Sequence, residues 1–503
     1  MTGQANRLPW MRASRAVAIG MAATIGVGPT AAFGEALQDA LAATYRYNPR
    51  LDAARAAMRA TDEEVARANS GYRPTISATA DAGSQFLSQK SATGTVSAAE
   101  THPAGYGATA SQPLFRGFRT LNTVREAEAT VRAGRENLRS IEQAVLLDAI
   151  TAYMDTLRDA AIVKIRENNV EVLSRELKAT QERFKVGEVT RTDVAQAEAR
   201  RAGTVSALDL SRSNLKTSRA AYERHIGRPP SNLTEPRPPQ QRLPRSLDEA
   251  IAISSKESPT VVAALYREQG ARHTVDRIWG ELLPTVQVDA TYARRFDVSS
   301  TVAETETSTI VGRVSVPIYT TGEVQARVRQ AKHTHISRIQ EIEQNRSDVQ
   351  AAVVQSWSQL QAAKAQLESD NAQVKSLEIA LTGVREEEKV GQRTLLDILN
   401  AEQELLNAQV NLAATKRNIN VTSYSVLATV GRLNIQELGA SHEIYDSEIH
   451  YREIRRKWWG VSITHTDGRK EHHDFWNSLG KLFHGSHGEP VEEPEKVSAK
   501  PVK

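Results

Sequence analysis

Two aspartates stand 204 positions apart in matching surroundings, Asp193 within KVGEVTRTDVAQAEA and Asp397 within KVGQRTLLDILNAEQ. A threonine precedes each by three residues, Thr190 and Thr394, the spacing at which a hydroxyl and a carboxylate cap a helix start reciprocally. Gly187 and Gly391, a little upstream, suit the left-handed turn that ends a preceding helix. The chemistry open to such residues is electrostatic, with carboxylates seated at helix N-termini. Covalent chemistry has no comparable candidate. The 503 residues contain no cysteine, no G-x-S-x-G, no H-E-x-x-H and no glycine-rich phosphate loop after a strand, which argues against the common nucleophilic, metal-dependent and nucleotide-dependent enzymes. Seven of the twelve histidines fall between His442 and His487, but not at zinc-ligand spacing. The chain reads as no enzyme, with no cofactor and no metal site.

These turns need elements to hold them. The same offset carries Lys185 to Lys389, Val186 to Val390 and Gly227-Arg228 to Gly431-Arg432, so an internal two-fold repeat comes before any other reading. Each turn ends a long helical stretch. No proline interrupts Leu121 to Phe184, and Val124, Val131, Leu138 and Val145 recur every seven residues, the mark of a supercoiled seam. At about 1.5 Å per residue such a helix runs on the order of 100 Å, longer than a compact enzyme domain uses. A solvated coiled coil with no other duty is the competing reading of the helices alone.

Ahead of each long helix the period changes to two, as in TISATADA and TVQVDATY, which predicts strands. We place four, at about 72–86, 105–117, 283–297 and 308–320, the second and fourth ending in SQPLF and SVPIY. The stretches between the members of each pair, GSQFLSQKSATGTVSAAETHPAG and FDVSSTVAETETST, read as exposed loops. Tyr72, Phe86, Phe115, Phe118, Trp279, Phe296 and Tyr319 gather at the strand ends, as in interfacial girdles. Strands of roughly ten residues can cross a bilayer at a tilt, yet four cannot close a barrel, and open edges are not tolerated in lipid. Several chains would have to share one barrel. A soluble four-stranded sheet is the alternative.

The 64 Lys+Arg against 60 Asp+Glu leave a charge of +4, too small and too evenly spread for a nucleic-acid partner. Residues 1–34 carry Arg7, Arg12 and Arg15, the run AVAIGMAATIGVG and small residues before Glu35, the pattern of a secretory signal peptide. No other stretch of about 18 apolar residues occurs, so helical membrane spans are excluded. The first repeat covers 35–228, a linker with six prolines 229–245, and the second repeat 246–440. Residues 441–503 read as a polar, His-rich tail with one amphipathic helix, on which Phe475, Trp476, Leu479, Leu482 and Phe483 share a face.

The order LQDALAATYRYNPRLDAARAA, strand pair, SQPLF, long helix, RFKVGEVTRTDVAQAEARRAG, HIGR, then the whole set again, resembles the TolC family of outer-membrane channel-tunnels. The wording of the first turn is most similar to type I secretion members. The likeness implies a mainly helical chain with a membrane β-barrel. Three chains of four strands would share a twelve-stranded barrel, continued by a long coiled-coil α-barrel across the periplasm of a Gram-negative bacterium. It also implies a homotrimer working with a periplasmic adaptor and an inner-membrane ABC or RND-type pump, as the exit duct for protein or small molecules. A periplasmic coiled-coil scaffold or adaptor without a pore is the alternative. The turns would lie at the periplasmic entrance, where three Asp193 and three Asp397 form rings that favour cations. Arg393, Thr192 and Asp193 match positions that hold the family's entrance shut. Glu388 stands where a tyrosine of that latch is expected, and Asn400 where a second acidic ring is. Val186, Gly187, Val390 and Gly391 would be the tips that meet the adaptor.

Overall fold

The computed structural model describes residues 35–299, 301–439, 444–463 and 465. Residues 1–34, read above as a signal peptide, and the stripe from Phe475 to Phe483 lie outside them. The first half runs α1 (Leu37–Tyr47), α2 (Pro49–Asn69), β1 (Thr75–Ala82), β2 (Gln85–Lys90), β3 (Val96–Thr101), β4 (Ala104–Arg116), α3 (Arg119–Lys185) and α4 (Arg191–Ile226). The second runs α5 (Leu247–Glu257), α6 (Pro259–Trp279), β5 (Thr285–Ser299), β6 (Val302–Ser315), α7 (Glu323–Lys389) and α8 (Leu395–Thr429), after which α9 (Ser447–Ile454) follows. Both long helices, α3 and α7, have 67 residues. Among the described residues no helix is long and apolar enough to cross a membrane.

Toward the sheet, α3 lies between α2 and α6, and α7 lies beside α6; toward the Val-Gly turns the order becomes α4, α3, α8, α7. The seven-residue repeat faces this packing: Val131 and Val145 are buried, and Val124 and Leu138 pack against the cluster that holds Val131. The largest core sits at the waist, where Leu41, Leu146, Ile150, Tyr153, Tyr222 and Leu427 bring both halves together. The proline-rich linker is stitched to this waist. The Glu35 amide donates to Asn232 O at 2.6 Å, and the Tyr153 hydroxyl lies 2.8 Å from the Glu35 carbonyl and 2.6 Å from that of Thr234. Burial pushes the Glu35 carboxyl up, but Ser231, Tyr222 and Arg228 all donate to it and together hold it below the usual range.

One antiparallel sheet has the strand order β1-β4-β5-β6. Its register puts Ile76, Ala78 and Ala80 beside Ala110, Ala108 and Tyr106, and carries that face on through Ala290, Val288 and Val286 to Ile310, Gly312 and Val314. The opposite face holds Ser77, Thr109, Thr291 and Thr309 in one row, and Ser111 Oγ donates to Asp289 Oδ1 at 2.7 Å. Directly opposed residues share a face, so the sheet has one mostly apolar side, broken by Gln112 toward one end and by Arg294 and Glu306 beside Tyr106 toward the other, and one mostly polar side. Among the described residues its edges, β1 and β6, are unpaired.

Four expectations need correction. The predicted strand at 72–86 stops at Ala82, and the stretch read as a loop after it folds into a second sheet, the hairpin β2–β3. FDVSSTVAETETST likewise is mostly strand, with β5 and β6 paired from Thr285↔Ser315 to Ser299↔Val302. Serine and threonine mark loops by composition, but threonine is also a good strand former, and a strand polar on both faces shows no hydrophobic period. The strand at 308–320 ends at Ser315, just before Pro317, which cannot donate to a ladder. Pro113 instead stays within β4, where the register shifts between Pro113 and Phe115, as a bulge permits. Finally, the tail is not simply polar: α9 packs on α2.

Candidate functional site at the Val-Gly turns

The two turns are built alike. Gly187 has φ +84° and Gly391 +77°, a region open to glycine at little cost. Their amides donate to Phe184 O at 3.0 Å and Glu388 O at 2.9 Å, closing the last turn of α3 and of α7. Thr190 then starts α4 and Thr394 starts α8. The Asp193 amide donates to Thr190 Oγ1 at 3.3 Å while Asp193 Oδ2 accepts from the Thr190 amide at 2.8 Å. Thr394 and Asp397 repeat this at 3.3 and 2.9 Å. The capping boxes expected from T-x-x-D are therefore present. The backbone amides of Thr190 and Thr394, and then their hydroxyls, hold both carboxyls below the usual aspartate range. Val186 and Val390 are 73% and 70% exposed, and a Cβ added at Gly187 or Gly391 would meet nothing within 4 Å.

Arg393, which the resemblance matches to a position that holds the entrance shut, bonds within the chain to its own turn, where its Nε donates to Glu387 Oε2 at 2.9 Å. Thr192 is exposed on α4. The two helix pairs are joined by other residues. Arg183 Nη1 donates to Glu388 Oε1 at 2.5 Å, with the Glu388 side chain only 14% exposed. Arg200 Nη2 donates to Asn400 Oδ1 at 2.8 Å, and Leu173 packs with Leu395 and Leu399. Further from the tip, Arg385 Nη2 donates to Glu402 Oε1 at 2.7 Å, while the buried Oε2 of Glu402 has no partner. Burial, and then the negative charges of Glu402 and Glu388, push the Glu176 carboxyl up.

Of these residues the sequence analysis named Glu388 and Asn400, for a latch and an acidic ring, and it missed their partners Arg183 and Arg200 as well as Arg385, Glu402 and Glu176. One signal was available. At the 204-residue offset Arg183 aligns with Glu387, a reversal of charge between copies that otherwise share their turn. Such an arrangement can hold two coiled-coil pairs together with charge-assisted bonds and display fixed negative charge at their ends. It offers no nucleophile with an adjacent base.

Residues 38–228 and 251–432 match the model of the family described as outer membrane efflux protein. The chain is 37% identical to the outer membrane efflux protein BepC of Brucella suis over 90% of this chain and 97% of that one. It is 24% identical to the outer membrane protein TolC of Escherichia coli over 59% of this chain and 63% of that one. The fold is similar to the Campylobacter jejuni CmeC outer membrane channel, with a TM-score of 0.69 at 17% identity, covering 84% of this chain and 89% of that one. This is a family of efflux ducts and not of enzymes. The chain belongs to the outer membrane efflux protein family, and its place is the bacterial outer membrane.

Proposed function

We propose that three copies of this chain form a passive duct through which an inner-membrane pump, of ABC or RND type, exports protein or small molecules. The observation that carries this reading is the sheet: one apolar face, one polar face and two unpaired edges. An open edge is too costly in lipid, so an outer-membrane sheet of this kind needs partner strands, and three copies supply a twelve-stranded barrel with its polar side inward. Below it the long helices would form a tunnel across the periplasm, ending at the Val-Gly tips. There Arg183–Glu388 and Arg200–Asn400 would brace each subunit's two helix pairs. Asp193 and Asp397, held ionised by their caps, would ring the entrance and favour cations. Thr192 and Arg393, exposed beside them, are positioned to bond neighbouring subunits. Energy would come from the pump, reached through an adaptor that abuts Val186, Gly187, Val390 and Gly391.

Export from cells tests this directly. Gly187→Trp and Gly391→Trp should leave the amount of assembled protein in detergent extracts near normal and abolish export, whereas Gly187→Ala, which brings only backbone strain of about 1–2 kcal/mol, should not. Release of the protein by osmotic shock without detergent would instead favour the periplasmic scaffold.

A further inference from the structure

We propose that residues Arg455 to Ile463 form a peripheral anchor that binds anionic phospholipid headgroups in the leaflet from which the helical body emerges. After α8 the chain climbs along α2 toward the sheet. The Tyr445 amide donates to the Tyr45 hydroxyl at 3.2 Å, His450 Nδ1 lies 3.1 Å from Asp62 Oδ2, and Arg455 Nη2 donates to Glu128 Oε1 at 3.2 Å. At the top, the Arg73 guanidinium stacks 4.8 Å over the Trp458 ring. Arg73 is two residues ahead of Thr75, the first residue of β1. The segment is therefore delivered to the root of the sheet and held there by the contacts of Tyr445, His450, Arg455 and Trp458.

What it presents at that level is built for an interface. Gly460, at φ +102°, reverses the chain, and Lys457 Nζ closes the loop on Ser462 O at 2.7 Å. Ile454 is buried, but Trp458 is 69% and Trp459 82% exposed, and Val461 and Ile463 are more than half exposed. The sequence RRKWWGVSI has three cations and no acid, and Arg456 makes no ion pair among the described residues. Tryptophan rings settle at headgroup depth, and clustered basic residues are drawn to anionic lipid. Tyr72 and Trp279, both 51% exposed, sit just ahead of β1 and β5 and continue the same belt. A second copy of the chain is a poorer occupant, because Arg456 and Lys457, which have no acidic partner among the described residues, would need a matching acidic patch, which anionic headgroups supply.

The cysteine-free sequence allows a clean test. Val461→Cys in the full chain, bearing a nitroxide, is reconstituted in vesicles of phosphatidylethanolamine with phosphatidylglycerol, or with phosphatidylcholine in its place. Collision with oxygen should exceed collision with an aqueous nickel chelate, more so with phosphatidylglycerol. Arg456→Gln should lower the lipid-to-water ratio about fivefold, the equivalent of about 1 kcal/mol for one basic residue at an anionic surface. Trp458→Ser with Trp459→Ser should return the label to water. A label equally exposed to nickel in both vesicles would overturn the proposal, as would one shielded from both reagents, the sign of a contact with a neighbouring copy. Ile310→Cys reports separately whether the sheet lies in the bilayer.

Discussion

Glu388 takes its importance from its partner. Its carboxylate is mostly buried and meets Arg183 at 2.5 Å, so Glu388→Ala would strand a guanidinium between the helix pairs. A partly wet ion pair contributes about 1 kcal/mol, and three copies in a trimer would bias a closed entrance by roughly a hundredfold. Glu388→Ala should therefore raise single-channel conductance in planar bilayers, whereas Arg393→Ser, which removes a bond within one turn, should change it less. The reverse order would place the latch between subunits. Asp397 has two roles that substitution can separate. Asp397→Asn keeps an acceptor for Thr394 but removes the charge, so cation preference should fall with little loss of stability; Asp397→Ala should lose the preference and the cap besides. Unchanged selectivity in both would leave only the cap. Titration gives a further check. The Glu176 carboxyl is pushed up, so the stability it contributes is complete below the ordinary glutamate range and is lost as pH rises through the raised value. Glu176→Gln should raise the melting temperature at neutral pH and flatten its dependence on pH in that window. The caps act lower and oppositely, since depressed carboxyls lose their contribution only as pH falls below the ordinary aspartate range. The caps were legible because a box is local, T-x-x-D within one turn. The Arg183–Glu388 pair was not, because it joins residues 205 apart in the chain whose meeting depends on how two coiled coils lie together.

The helices were the most legible elements, since proline-free length and a seven-residue period leave few alternatives, and the expected span from Leu121 to Phe184 falls inside α3. Strand positions were legible where one face is apolar, and failed in the Ser/Thr-rich stretches, where neither face is. Register adds what periodicity could not: which strand lies beside which. Val288 stands opposite Gly312 and Gln112, on the apolar face, whereas Gln287 stands opposite Arg313 and bonds Asp289 at 3.0 Å on the polar one. Val288→Arg should cost about 2–4 kcal/mol if it lies near the bilayer midplane, and Gln287→Arg far less. The amount of each variant assembled in outer membranes measures the difference. Equal losses would mean that both faces see the same surroundings, as in a soluble sheet.

At the scale of the whole molecule, an open amphipathic sheet and four long helices in a row are parts that a single copy leaves unfinished. The sheet's edges lack partners, and many helical faces of α7 are exposed along its length. Family membership places the chain in the outer membrane, and in the proposed duct the edges of β1 and β6, unpaired among the described residues, are what further copies would pair. The deciding measurement is the native mass of the particle extracted from outer membranes in mild detergent. Closure of four strands per chain into one barrel predicts three copies in every conducting particle. A particle of one copy, stable in the membrane and conducting, would contradict the shared barrel and the duct built upon it.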